Sequence, residues 1–291
     1  MLVKGNRNDL NWYPGHMTRT KRDLQDKLNK IEMVIEVLDA RAPLMTRNPE
    51  FEDLFRSKRR MIILNKSDLA NPQITREWVR YFQSMDIFTI TYSAKLNANS
   101  KEIIRSMEKA CEPIRAKYLE KGINKTVRAL ICGIPNVGKS AILNRICGQR
   151  RLKEGDTPGL TRGLNWVKLS EYLECMDSPG LLWPRFEDRR TGEVIALLGS
   201  INRDIIDNED LAFTLIDLLR DTAPDLLTNR YKLTDLDKPG YELVEDICRK
   251  RGFLRKGGEC DTDRCNRMLL EEFRTGKMGT ISLERPVRED D

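Results

Sequence analysis

Apolar residues in the first part of the chain come in short unbroken runs, which are separated by amphipathic stretches. The runs lie at 32–39, 60–65, 87–93 and 127–133, and stretches with helical spacing lie at 50–57, 73–84 and 100–118. Alternation of this kind is typical of βαβ units. The pattern therefore predicts an α/β fold, a mainly parallel sheet flanked by helices, with a further strand pair at 164–170 and 172–177.

The pattern changes after about residue 185. Apolar residues now recur at helical spacing only, at Val194, Leu197, Leu198 and Ile201 and again at Leu211, Leu215, Leu218 and Leu219. We expect a boundary near 183–190, an α/β domain over residues 1–185 and a small all-α domain over residues 186–291. Near the start of the chain, residues 15–29 read as a basic amphipathic helix.

Hydrophobicity and charge indicate where the protein acts and what it binds. None of the apolar runs approaches the roughly 18 residues of a membrane-spanning helix, and we expect a cytoplasmic monomer without a membrane partner. A mitochondrial location is the less favoured alternative, because no clear presequence is visible. From residue 186 onward the chain has 18 Lys+Arg and 24 Asp+Glu, against 51 and 45 overall, which leaves a balance of +12 before that point. This excess indicates RNA, although a solvated lysine-rich surface would look the same.

The cysteines indicate a reducing compartment. There are 7 of them, without a C-x-x-C pair, which favours free thiols. Cys248, Cys260 and Cys265 are candidates for a metal site, but the single histidine, His16, lies far from them in sequence. Free thiols are the favoured interpretation.

The run at 127–133 leads into GIPNVGKS, residues 133–140, which matches G-x-x-x-x-G-K-[ST]. Between a predicted strand and a predicted helix this pattern indicates a phosphate-binding loop, or P-loop, rather than a chance glycine turn. Its glycines let main-chain N–H groups face the phosphates, the lysine adds a positive charge, and the serine hydroxyl suits Mg²⁺. The residues that we expect to bind nucleotide here are Asn136, Val137, Gly138, Lys139, Ser140 and Ala141.

A second phosphate-side motif is DSPG, residues 177–180, at the end of the last predicted strand. Asp177 is expected to hold Mg²⁺ and the Gly180 N–H to contact a γ-phosphate. Between the two motifs lies DTPGLTRG, residues 156–163, in which Thr161 and Thr157 compete for a second contact with the metal.

Two further motifs suit guanine. NKSD follows the run at 60–65, and SAK ends the run at 87–93. A carboxylate at Asp68 can accept from the N1–H and 2-amino groups of guanine, which adenine lacks, and this rejects ATP. The remaining residues are expected at the edge, face and O6 of the base, namely Asn65, Lys66, Ser67, Ser93, Ala94 and Lys95.

The order of the motifs is unusual, because the base-reading motifs precede the P-loop. A circularly permuted chain can assemble the same site from this order. The segment after Gly180 then leads directly into the helical region. Loss of the γ-phosphate would release that segment, as expected of a switch that acts on a large partner.

In this order, the motifs resemble the circularly permuted ribosome biogenesis GTPase A (RbgA/YlqF) family, with the mitochondrial ribosome-associated GTPase 1 branch close to it. The resemblance also includes WYPGHM at 12–17, VLDARAP at 37–43, RNP at 47–49, TPGLTRG at 157–163, DSPGLLWP at 177–184, and the segments 249–261 and 269–284. It implies a GTPase that binds the large ribosomal subunit late in assembly, is stimulated there, and leaves after hydrolysis. The helical domain would contact ribosomal RNA.

The resemblance also assigns roles to single residues. It favours Thr161 over Thr157 for Mg²⁺ and matches Asn136 to a P-loop asparagine that holds K⁺ in potassium-stimulated relatives. Leu181 stands where most small G proteins have the glutamine that orients water, so intrinsic hydrolysis is expected to be slow. The family signature makes His16 the candidate for that role, with Lys139 and Thr161 as the other catalytic residues; K⁺ or a ribosomal group is the alternative.

Two other functions fit parts of the sequence. The first is an RNA-binding scaffold that binds GTP but scarcely hydrolyses it. The second is a general translation factor, which is less favoured because no β-barrel domain is visible.

Overall fold

The computed structural model describes residues 25–26, 28–96, 100–147, 166–178, 180–183, 186, 188–201 and 207–287. Of the amphipathic segment predicted at 15–29, residues 15–24 and 27 lie outside this set, and Leu28–Lys30 form a 3₁₀ turn. No helix among the described residues is long and apolar enough to span a bilayer.

A six-stranded sheet forms the centre of the first part of the chain, in the order β3-β2-β1-β4-β6-β5. The strands are β1 Met33–Asp39, β2 Arg59–Asn65, β3 Phe88–Thr91, β4 Val127–Cys132, β5 Trp166–Lys168 and β6 Leu173–Asp177. All neighbours are parallel except β5, which runs antiparallel to β6. Every residue of β1 is buried, as expected where helices cover both faces of a parallel sheet.

In the described residues, the helices of this part are α1 Glu50–Leu54, α2 Pro72–Ser84, α3 Ser100–Leu119 and α4 Lys139–Cys147. The sequence determines where α2 begins. The Asn71 side chain accepts hydrogen bonds from the N–H groups of Gln73 and Ile74, and Pro72 occupies the first turn. The mainly parallel sheet with flanking helices is thus confirmed. Helix α1 is shorter than the predicted 50–57.

Among the described residues of the later part, the named elements are helices: α5 Arg189–Leu197, α6 Asn208–Thr222, α7 Pro224–Tyr231, α8 Gly240–Lys250 and α9 Thr262–Thr275. Their apolar faces pack into a second core, which includes Leu215, Leu243 and Phe273 and also takes in Ala42 from the loop after β1. The domain limits at 185 and 186 stay a prediction.

After α9 the chain returns to the sheet. The Ile281 N–H donates to the Leu69 carbonyl (2.8 Å), and the Leu283 N–H donates to the Arg41 carbonyl (2.7 Å). The Glu284 carboxylate accepts from the N–H groups of Leu44 and Met45. We call residues 281–284 the return segment; it lies along the loops that follow β1 and β2.

Candidate nucleotide-binding site

The P-loop lies between the end of β4 and the start of α4. Its backbone bends at Gly133, Asn136 and Gly138, all with positive φ. At Gly138 φ is +103°, and a Cβ atom would lie 2.1 Å from the Asn65 Nδ2 atom. Only glycine fits here, because both the backbone conformation and the close approach exclude a side chain.

Lys139 is buried, and its Nζ donates to the carbonyls of Gly133 (3.1 Å) and Ile134 (2.9 Å). Burial lowers the pKa of Lys139 to about 8, while the nearby Asp177 carboxylate acts in the opposite direction. An anionic phosphate at the loop would give this ammonium group a stronger partner than two carbonyls do. The location and charge of Lys139 therefore suit phosphate binding.

Asp177 ends β6 beside the P-loop strand, in register with Ile131. Neither of its buried carboxylate oxygens has a hydrogen-bond partner among the described residues. Burial raises the pKa of Asp177 to about 6, while the nearby charge of Lys139 opposes the rise. Mg²⁺ prefers carboxylate and hydroxyl oxygens. The unpaired Asp177 oxygens fit that ion, and the Ser140 hydroxyl at the start of α4 is a suitable second ligand.

The glycine of DSPG packs directly on the P-loop. A Cβ atom at Gly180 would lie 2.7 Å from the backbone N and Cα atoms of Pro135. The next residue donates its N–H to the Gly133 carbonyl (3.2 Å), and the side chain of this Leu181 is buried in the core. The P-loop and the segment that leads to α5 are therefore in direct contact.

The base-reading motif is joined to the P-loop by direct hydrogen bonds. The Asn65 amide donates from Nδ2 to the Val137 carbonyl (2.7 Å). The Lys66 Nζ donates to the Asn136 carbonyl (3.0 Å). The parallel sheet explains this contact, because β2, β1 and β4 all end at the same edge.

NKSD and SAK contact each other at the same edge of the sheet. The Ser67 N–H donates to the Tyr92 carbonyl (3.1 Å), and the Lys95 Nζ lies 3.8 Å from the Asp68 carboxylate. The Ser93 Oγ accepts from the Lys95 N–H (3.2 Å) and orders the SAK turn. The Ala94 carbonyl accepts a hydrogen bond from Arg145 on α4 (3.1 Å).

Asn136 connects the P-loop to the helical part of the chain. Its Nδ2 donates to the carbonyl of Gly199, just after α5 (2.7 Å). The K⁺ role that the sequence suggested would use the other atom of this amide, Oδ1, and stays a prediction.

His16, Thr161 and the competing Thr157 lie outside the described residues. Cys248 and Cys260 are in side-chain contact, as are Cys248 and Cys265. Even so, the described part of the chain has no group of three or more His, Cys, Asp or Glu residues suited to a metal ion. None of the cysteines in this part of the chain forms a disulfide.

The nucleotide-binding motifs of the sequence do not include Asp39 and Arg41. The Asp39 carboxylate binds the Arg41 guanidinium and also the Lys66 ammonium (3.0 Å). The available signal was a charged pair at the carboxyl end of a largely apolar run, where parallel sheets place their ligands.

A P-loop at the end of β4, an unpaired aspartate at the end of β6 and a guanine-reading motif at the end of β2 define a P-loop GTPase with permuted motif order. The model of a family described as 50S ribosome-binding GTPase matches residues 128–249.

Longer similarities define the family. Ribosome biogenesis GTPase A of Priestia megaterium is 36% identical over 279 residues, which cover 95% of this chain and 97% of that protein. Short integuments 2, mitochondrial, of Arabidopsis thaliana is 31% identical over 81% of this chain and 65% of that protein. The GDP-bound structure of TM YlqF, from Thermotoga maritima, has a TM-score of 0.69 and 27% identity, over 91% of this chain and 99% of that one. The chain belongs to the ribosome biogenesis GTPase A family, which confirms the resemblance seen in the sequence.

Proposed function

We propose that this protein is a GTP hydrolase that acts in late assembly of the large ribosomal subunit. It binds the pre-subunit in the GTP state and leaves after hydrolysis that the subunit stimulates. The observation that carries the nucleotide part is the contact of Asn65 and Lys66 with the P-loop carbonyls, which joins a guanine-reading motif to a phosphate-binding one. Family membership supports the ribosomal part.

Each element of the site has a role in this proposal. Asp68 accepts from the guanine edge, while the SAK turn offers main-chain N–H groups to O6. Lys139 neutralises charge on the β- and γ-phosphates, a role that its lowered pKa of about 8 still permits at neutral pH. Mg²⁺, held by Ser140, Thr161 and Asp177, would neutralise phosphate charge when bound.

The attacking water needs a group other than Leu181. That side chain is apolar and buried, so it cannot hydrogen-bond a water molecule. We assign the role to His16, whose neutral imidazole can orient a water near pH 7. Without a correctly placed His16 the protein would hydrolyse GTP slowly, and the subunit would act by placing it.

The chain path supports release after hydrolysis. The Leu181 carbonyl accepts from the Asn48 side chain (3.2 Å), and Gly180 packs against Pro135. A γ-phosphate that binds the Gly180 N–H would hold this segment, and its loss would alter the path toward α5. The helices after residue 186 and the basic surfaces of the first 185 residues would contact ribosomal RNA and proteins, in the cytoplasm, with the protein as a monomer.

The test is a GTPase assay with and without purified large subunits, in K⁺ and in Na⁺ buffers. We expect subunits to raise the rate about tenfold or more. His16→Ala should abolish the rise and leave GTP binding intact, whereas Lys139→Ala should lose nucleotide binding. K⁺ should increase the rate if Asn136 binds it.

Equal rates with and without subunits would refute stimulated hydrolysis. Retained GTP and RNA binding in that case would favour the GTP-binding scaffold instead.

Base specificity has a separate test. Asp68→Asn should shift the preference from GTP toward xanthosine triphosphate, because an amide can donate to the 2-oxygen that replaces the 2-amino group. Competition against a fluorescent GDP analogue measures the shift. An unchanged preference would show that Asp68 does not read the base.

A further inference from the structure

Asp39 lies between the base-reading strand β2 and the P-loop strand β4. It ends β1 and pairs in register with Asn65. Only 1% of the residue is exposed. A buried carboxylate is costly unless it is well bonded, so its partners show which groups it holds in place.

The first partner is Lys66 of NKSD. Its Nζ lies 3.0 Å from the Asp39 Oδ2 and donates to the Asn136 carbonyl at 3.0 Å. The Lys66 backbone has a φ of +58°, which is uncommon for a residue other than glycine. The two contacts of its Nζ hold the ammonium group, while 25% of the Lys66 side chain stays exposed.

The second partner is Arg41, which is also buried. Its Nε and Nη2 bind the two Asp39 oxygens at 2.9 Å each. Its Nη1 donates to the carbonyl of Phe273 in α9 (3.3 Å), and the guanidinium lies 5.1 Å from the centre of the Phe273 ring. Arg41 thus joins Asp39 to the last turn of α9.

We propose that Asp39 is a positioning residue for guanine-nucleotide binding, which holds the Lys66 stem as the surface for the base, and that Arg41 makes this dependent on the contact with α9. The inference rests on the proposed function, in which Lys66 lies on the face of guanine. It adds a route by which the helical part of the chain influences the base end of the site.

Electrostatics explain why Asp39 is needed. Burial raises the pKa of Asp39, but the charges of Arg41 and Lys66 outweigh this and hold it well below its usual range. Burial and the Arg41 charge both lower the pKa of Lys66, and Asp39 opposes them. Without the carboxylate, the Lys66 ammonium would lie beside a guanidinium that has also lost its counter-charge, and the Lys66 side chain would turn toward solvent.

A double-mutant cycle on GDP affinity tests the first part. Asp39→Asn and Lys66→Met should each weaken binding of a fluorescent GDP analogue about tenfold, since each removes a charge-assisted bond. The double variant should bind like the weaker single variant, because both changes release the same side chain. Asp53→Asn removes a carboxylate from an exposed ion pair with Arg56 and should bind like wild type.

Multiplied effects in the double variant would overturn the proposal, and so would wild-type affinity in folded Asp39→Asn. Circular dichroism and urea unfolding establish which variants are folded. A purely structural ion pair would lower the stability without this coupling in affinity.

The link to α9 is tested by Phe273→Leu, which removes the ring under Arg41 and keeps the carbonyl. We expect GDP affinity to fall about threefold. Phe253→Leu is the matched control, because it removes a ring under Arg264 (4.3 Å) elsewhere in the helical region. Equal GDP affinities of the two variants would refute the role of Arg41. If Asp39→Asn does not fold, the comparison of Phe273→Leu with Phe253→Leu tests the proposal instead.

Failure of the proposed function looks different. In that case wild type itself would not bind GDP, or Lys139→Ala would bind it equally well. Normal wild-type binding with independent effects of Asp39 and Lys66 refutes only the positioning role.

Discussion

Replacement of Gly138 by alanine tests the closest contact in the site. The new Cβ would lie 2.1 Å from the Asn65 Nδ2, which must then leave the Val137 carbonyl. Loss of that hydrogen bond from a buried amide costs about 1–2 kcal/mol. The φ of +103° adds about 1–3 kcal/mol of backbone strain. We therefore expect the free energy of unfolding to fall by about 2–5 kcal/mol.

The chain offers a matched control in Gly257. Its φ is +104°, and a Cβ atom there would meet nothing within 4 Å. Gly257→Ala thus reproduces the strain without the collision. Urea unfolding at 25 °C should show Gly138→Ala to be less stable than Gly257→Ala by about 1–2 kcal/mol. A fluorescent GDP analogue should bind to wild type and Gly257→Ala with similar affinity, and to Gly138→Ala weakly.

Two results would refute this reasoning. Equal losses of stability would mean that Asn65 is not held against the P-loop at Gly138. Unchanged GDP affinity of Gly138→Ala would mean that the contact between the two motifs does not serve nucleotide binding.

The remaining predictions concern the buried carboxylate of Asp177 and the partly buried carboxylate of Glu284. Burial raises the pKa of Asp177 from its ordinary 3.8 to about 6, so the metal-free protein should lose stability as the pH rises from about 4 to about 6. Asp177→Asn should then raise the free energy of unfolding at pH 7 by about 1–3 kcal/mol, as measured by urea unfolding with a chelator present. If the variant and wild type differed by the same amount at pH 4, the prediction would be contradicted. Glu284→Ala should lower the free energy of unfolding by about 1–3 kcal/mol, because the N–H groups of Leu44 and Met45 lose their acceptor. Glu284→Gln keeps an acceptor and should lower it less. Equal unfolding free energies of the two Glu284 variants would refute the role of that acceptor.

The phosphate side of the site was accessible from sequence because each motif is local. GIPNVGKS contains its own turn, its glycines and the first residues of its helix, and a buried strand precedes it. Spacing within eight residues determines that chemistry. For the same reason, NKSD and SAK could be placed at strand ends.

Boundaries were harder to predict. The run at 87–93 predicted a strand of that length, but β3 is Phe88–Thr91. The Tyr92 carbonyl is used by the Ser67 N–H and Oγ, which turns the chain away from the ladder. This competition involves a residue distant in sequence, and hydrophobicity does not report it.

Asp39 and Arg41 show most clearly what could not be predicted from the sequence. The sequence displays their charges at the end of an apolar run, but the Phe273 carbonyl that Arg41 binds is 232 positions away. A buried ion pair is justified only by partners that the fold brings together. Its role could not be derived before those partners were known.

The return segment has a consequence for the synthesis of the protein. Ile281 and Leu283 complete the main-chain bonding of Leu69 and Arg41, which are translated long before them. A nascent chain that has not reached residue 281 lacks these donors, although its sheet and P-loop residues are already made. We therefore expect the loops that follow β1 and β2 to gain these main-chain hydrogen bonds only after residues 281–284 have left the exit tunnel.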